Sequence, residues 1–187
     1  MIAGFAIHGH AIVSADDRIA EANGRMPPSL HNDTDRQRFQ SALDQAVLTV
    51  LGRLGHETHP NAKNRNRLVV SSAADGLERR PDAWWWNPAE IPVAEALARA
   101  APEPGVVAVP GGRLVFDLFL AAGFDKFFLS RATRAKIPTG LPVFSAVEGG
   151  TSAQDVLMGH GLLPQPAVVL DERAGVELVE WRMVTPA

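Results

Sequence analysis

The chain has 187 residues, no cysteine and a formal net charge of −3, with an isoelectric point near 6.1. That length is most simply one domain over 1–187, able to bury about 70% of its unfolded surface. Disulfide scaffolds, thiolate zinc sites and thiol nucleophiles are excluded, and the missing cysteine fits a cytoplasmic protein. The mildly acidic balance gives no pull toward nucleic acid or anionic membrane. The N-terminal apolar run stops at His8 without the basic start of a signal peptide, and no apolar run is long enough to span a bilayer.

Residues Gly4 to Ser14 read as a strand with a break near Gly9. His8 and His10 would share one strand face. A His-x-His pair could begin a metal site, but His31, His56, His59 and His160 show no matching pattern. The stretch His56-Glu57-Thr58-His59 is one residue short of H-E-x-x-H. No metal is expected, and the plain reading is a polar-edged strand with loop histidines. Ser14 to Ala20 is a turn, and Glu21 to Pro28 a loop rich in Gly, Asn and Pro. Asn32 or Asp33 caps a helix from about Asp35 to Ala46. Phe39, Ala42, Leu43 and Ala46 form one face of it, Arg36, Gln37, Gln40 and Asp44 the other.

Val47 to Leu51 is a buried strand ending at Gly52-Arg53, and Leu54 to Asn66 a polar loop. The next strand, Arg67 to Ser72, ends in serines where open α/β sheets place ligands. Alternation along Ala83-Trp84-Trp85-Trp86 puts Trp85 on one face and Trp84 and Trp86 on the other. This suits core packing better than base stacking, since no basic stripe surrounds it. Pro92 opens a helix with Val93, Ala96, Leu97 and Ala100 as its stripe.

Val106 to Val109 is a buried strand, the two glycines Gly111 and Gly112 make a turn, and Leu114 to Ala122 is a helix ended by Gly123. Two glycines let a ligand approach the backbone, and the helix start supplies free N–H groups and a positive dipole end. Taken alone, the corner is either a phosphate site or a tight turn with no ligand. Lys126 to Arg131 is a strand, Ile137 to Ala146 a loop, and Gln154 to Leu163 is left unassigned. Ala167 to Leu170 and Val176 to Met183 form a closing hairpin. Strands alternating with helices predict an α/β fold. It has three layers: a mostly parallel central sheet flanked by helices on both faces, with a C-terminal antiparallel hairpin.

Four segments resemble the dihydrofolate reductase-like superfamily, which includes the reductase domain of riboflavin biosynthesis. Ser14 to Ala20 is close to the S-x-D-G-x-I-A of the riboflavin-type branch. Val50-Leu51-Gly52-Arg53 is similar to the Gly-Arg motif that opens the NADPH site. Arg65 to Ser72 resembles R-x-x-x-x-x-S-S, and Val107 to Phe116 the family's glycine-run segment. The resemblance covers roughly Gly4 to Phe144, and the closing hairpin fits it.

This resemblance implies a reductase with NADPH as cofactor, NADH being unexcluded. Gly52, Arg53, Ser71 and Ser72 would hold its adenosine phosphate end. Gly111 and Gly112, joined by a cis peptide, would press against the pyrophosphate, with N–H donors from Arg113 and Leu114. Ile12 and Ile19 would border the nicotinamide. Ser130 would face the substrate ring, and Arg65 matches an arginine that grips folate's carboxylate tail. The proton donor is Asp33, counting from Met26-Pro27, or Asp35, counting back from Phe39. The chain departs from the pattern at Gly55 for a threonine, Pro110 for the first glycine, Val115 for a tyrosine and Pro27-Pro28 for Pro-Trp. The expected substrate is a small pterin- or riboflavin-precursor-like heterocycle, and the other reading is a degenerate nucleotide-binding or oligomeric member. A homodimer through the closing hairpin or edge strand is an open expectation. A Ser-His-Asp hydrolase has no G-x-S-x-G elbow to support it.

Overall fold

The computed structural model describes residues 2–184. In chain order it contains β1 (Ala6–Ser14), β2 (Arg18–Ala20), α1 (Asp33–Gln45), β3 (Leu48–Gly52), α2 (Arg53–Thr58), β4 (Arg67–Val70), β5 (Leu77–Arg79) and β6 (Trp84–Trp86). There follow α3 (Val93–Ala100), β7 (Val106–Gly111), α4 (Arg113–Ala122), β8 (Lys126–Ala132), β9 (Leu141–Pro142), α5 (Ala153–Gly159), β10 (Leu162–Pro164), β11 (Val168–Asp171) and β12 (Val176–Met183). The main sheet runs β10-β12-β8-β1-β7-β3-β4-β6-β5, with β11 also on β12. From β8 to β6 every pairing is parallel. Antiparallel pairs close both edges, β5 on β6 and β12 on β8. This is the expected three-layer α/β architecture, with the terminal hairpin in place.

Several elements escaped the sequence reading because they are short. The segment read as a polar loop after Gly52 holds α2, a six-residue helix with no buried side chain and hence no apolar stripe to betray it. β5 pairs with the tryptophan strand, and β2 with β9 in a separate two-stranded sheet. The unassigned stretch holds α5, capped by Ser152 accepting from the Asp155 N–H at 3.1 Å. The break expected near Gly9 is absent: β1 runs straight through. Glycine is there because a Cβ would overlap the Phe127 ring.

The two faces of the sheet differ in chemistry. One carries Ile7, Val13, Leu48, Val50, Leu68, Trp86, Val107, Val109, Phe127 and Leu129. Over them lie Leu97 of α3, Phe116 and Phe119 of α4 and Leu157 of α5, all buried. Rings of Phe116, Phe124, Phe127 and Phe144 pack with centroids 5.1 to 6.0 Å apart. As expected, Trp84 and Trp86 join this core, while Trp85 packs on the opposite face with Leu51 and Val69.

Alternation puts the buried polar strand residues, His10, Ser14, Thr49, Arg67 and Ser130, on that opposite face. α1 lies across part of it. Asn32 caps α1, accepting from the Asp35 N–H at 3.0 Å. Of the helix's expected apolar face, Leu43 is buried and Phe39 meets His10 edge-on at 6.1 Å. The other buried residue of α1 is Asp35.

Candidate active site

Because the central strands are parallel, their C-terminal ends share one edge. Gly52 stands beside Val70, and Leu51 beside Gly111. The expected cofactor segments Gly52-Arg53, Ser71-Ser72 and Gly111-Gly112 therefore end three adjacent strands. Every peptide among the described residues is trans, including the Gly111–Gly112 bond, which the resemblance implies to be cis. The turn is made through positive φ instead, 96° at Gly111 and 49° at Gly112. A Cβ on Gly111 would overlap the Phe116 ring, whereas one on Gly112 would meet nothing within 4 Å. So Gly111 is required by the core, and Gly112 presents open backbone. Val115 and Phe116 donate to the Gly112 carbonyl, which leaves the N–H groups of Arg113 and Leu114 in the helix's free first turn.

Arg53 opens α2 with its side chain 62% exposed and 3.7 Å from Glu57. Ser72 is exposed. Ser71 is buried and its hydroxyl accepts from the Ala73 N–H at 3.2 Å, so it shapes the turn. Arg113 is paired with Glu148 at 2.6 Å, and Leu114 is an exposed apolar residue beside the glycines. An exposed guanidinium, an exposed serine, an open glycine turn and a helix start are groups of the kind that can hold phosphate oxygens.

Between the two aspartates the structure separates clearly. Asp33 is exposed on the first turn of α1, whereas Asp35 is buried and accepts a hydrogen bond from the fully buried Ser130 hydroxyl of β8. Ser130 stands opposite Ile12 in the β1–β8 register, so Ile12 and the acid share the polar face. Burial pushes the Asp35 carboxyl above the usual carboxylate range, against the opposing pull of the Ser130 bond and of Arg38. The Arg38 guanidinium lies 3.9 Å away, beyond hydrogen-bond reach. A carboxyl in this setting can hold a proton and release it to a bound group. Arg38 was absent from the sequence-based site, although its position one helical turn after Asp35 placed both on one face.

The turn after β1 is structural. Asp17, standing where the riboflavin-type motif has glycine, adopts φ 62°. Its carboxylate is held by Arg131 at 2.6 Å and by the Ala153 N–H at 2.9 Å. Ser14 donates to Asp16 and accepts from the Arg18 N–H. Ile19 on β2 packs partly buried against the main core. The following loop bends toward α2, so that a Cβ on Gly24 would come 2.9 Å from Leu54.

Arg65 is not waiting for a carboxylate. It donates to Asp44 at 2.6 and 2.9 Å and to the Gln40 side chain at 2.7 Å, and Lys63 joins Asp44 at 2.5 Å. Among the described residues no group of three or more histidine or acidic side chains is arranged to hold a metal ion. No helix among them is long and apolar enough to cross a membrane.

No family model matches the sequence. No curated protein matches it either. Solved structures do. One that the chain is similar to is a dihydrofolate reductase from Enterococcus faecalis complexed with NADP(H), at 20% identity over 97% of each chain with a TM-score of 0.65. Another is a protein described as a riboflavin biosynthesis protein of Shewanella sp. PV-4, at 15% identity over 97% of this chain and 100% of that one, TM-score 0.63. A third is a diaminohydroxyphosphoribosylaminopyrimidine deaminase/5-amino-6-(5-phosphoribosylamino)uracil reductase from Thermotoga maritima. It is 16% identical over 96% of this chain, which spans 57% of that longer protein, with a TM-score of 0.63. In its architecture the chain has the fold that these dihydrofolate reductase and riboflavin biosynthesis structures share.

Proposed function

We propose that the chain is an NADPH-dependent reductase of a small heterocycle, of the pterin or riboflavin-precursor pyrimidine kind. The observation that carries this reading is Asp35, a buried carboxyl fixed by Ser130 on the ligand-bearing face, its pKa raised by burial. When bound, NADPH would supply the hydride. Arg53 and Ser72 would hold its phosphate end, and Gly112 with the Arg113 and Leu114 N–H groups its pyrophosphate. Asp35 would deliver the proton to the reduced C=N or C=O group, and Ser130 would keep the carboxyl oriented. Ile12 would shape the apolar wall beside them.

The substrate would carry no carboxylate tail read by Arg65, since Asp44 and Gln40 already occupy that guanidinium. That favours a tailless pterin or an aminopyrimidine over folate itself. The second reading, a nucleotide-binding member without catalysis, is favoured by Val115. Where the resemblance has a tyrosine beside the nicotinamide, this side chain is 3% exposed in the core. One assay separates the two: NADPH consumption with pterins and aminopyrimidine precursors as substrates. Turnover that falls sharply in Asp35→Asn supports the reductase. NADPH binding with no turnover on any member of the panel supports the second reading.

A further inference from the structure

A cavity of about 390 Å³ lies under the C-terminal half of α1, lined among others by His8, His10, Arg38, Gln45, Val106 and Phe128. Its lining draws on the starts of β1 and β7, so it sits toward the N-terminal ends of the strands, away from the glycine turn. The volume is within the ordinary range of small-molecule sites. Two buried polar atoms at this place have no hydrogen-bond partner in the protein, Arg38 Nε and His10 Nδ1. His10 itself is only 3% exposed. Its ring stacks on Phe128 with centroids 4.9 Å apart and planes within 7°, and the Arg38 guanidinium lies 5.1 Å from the same ring.

Two carboxylates act on Arg38, and neither neutralises it fully. Asp35 stands 3.9 Å off, is bonded to Ser130 and is driven toward its neutral form by burial. Glu180 is held by Lys126 at 3.0 Å and Arg182 at 2.8 Å. A largely desolvated guanidinium with an idle donor is costly, and a ligand anion removes that cost. A planar fork matches a carboxylate, and the Phe128 and Val106 walls match a flat apolar body. A phosphate dianion fits less well, because a single cation faces it with Asp35 and Glu180 close by.

We propose that this cavity is a second binding site, for a small aromatic carboxylate, with the carboxylate on Arg38 and His10 and the ring against Phe128 and Val106. The site stands on these residues alone and does not depend on the cofactor reading.

The test is a fluorine NMR titration of the full chain with para-fluorobenzoate and, separately, its neutral analogue para-fluorobenzamide. The near-UV signal of the tryptophans serves as the control for folding. The benzoate is expected to bind at least about tenfold more tightly than the amide, a difference of about 1.4 kcal/mol. The same loss is expected in Arg38→Met. Ala42→Leu, which fills the cavity from α1 and keeps the charge, is also expected to weaken binding. No benzoate binding at concentrations on the order of 10 mM would overturn the proposal. So would equal binding of acid and amide, or binding unchanged in folded Arg38→Met and Ala42→Leu.

Discussion

The two faces of the central sheet are built from the same strands and do opposite work. On one, Leu, Val, Ile and Phe side chains interlock with α3, α4 and α5 in a single apolar cluster. On the other, α1 brings Asp35 and Arg38 over His10 and Ser130, with Thr49 and Arg67 on neighbouring strands. Most of the buried side-chain atoms without partners among the described residues lie there, His10 Nδ1, Arg38 Nε, Thr49 Oγ1 and Arg67 Nε, the others being Arg18 Nε and Trp181 Nε1. A fold selected for stability alone would not leave such donors idle, since each costs about 1–3 kcal/mol. The contrast teaches that stability comes mainly from the apolar face, and that the other face buries polar groups at stability's expense.

Substitutions can break or sharpen that division. The largest loss of stability is expected on the apolar face. Phe119→Ala empties a fully buried ring site and should lower the unfolding free energy by about 3–5 kcal/mol in urea or thermal melts. On the polar face, Asp35→Asn should leave stability within about 1 kcal/mol of the parent at neutral pH, or above it, because a desolvated charge is removed. If the chain is a reductase, the same change should cost about 10²–10⁴-fold in turnover. The parent's turnover should fall as pH rises through the raised Asp35 pKa, and that limb should vanish in the variant.

His10 gives a stability signal of opposite sign. Burial, then Arg38 and His8, hold its pKa down to about 3, against 6.5 when unfolded. The unfolded chain therefore binds the extra proton first. Stability is complete above pH 6.5 and should drain away as pH falls, by about 2–3 kcal/mol between pH 7 and roughly pH 4.5. Asp35, with its folded pKa raised, contributes stability that is present at low pH and lost as pH rises, so it partly masks the His10 trend. Melts in an Asp35→Asn background should show a steeper loss on acidification, and His10→Leu in that background should reduce it, leaving the part due to His8 and to the paired carboxylates, whose pKa values are also lowered. The smallest expected effect is at Asn32→Ala. It removes the α1 cap and the Asn32 bond to Asp171, and should cost about 1 kcal/mol.

Legibility in the sequence followed the same division. The apolar face was readable because β-branched runs such as Val106 to Val109 and the stripe of Val115, Phe116, Phe119 and Leu120 leave periodic traces. Strand ends and the glycine turn followed from those. The polar face was readable only through resemblance, which brought Asp35, Ser130 and Ile12 together but could not choose between Asp33 and Asp35. Burial sets the two apart, and burial is a tertiary property. Arg65 had the right spacing and the wrong surroundings, since Asp44 and Gln40 reach it from α1. Arg38 carries no motif, because a cation inside a helix–sheet interface looks like a surface residue until the helix is laid down, and the His8-x-His10 pair pointed to a metal rather than to a buried ring under α1.

The most direct measurement is a calorimetric titration of the full chain with NADPH, repeated with Arg53→Ala. Saturable one-to-one binding, weakened at least about tenfold by the substitution, is the expected result. Absence of NADPH binding at concentrations on the order of 1 mM would contradict the assignment of the strand-end edge as a dinucleotide site, and the glycine turn would then be a turn only.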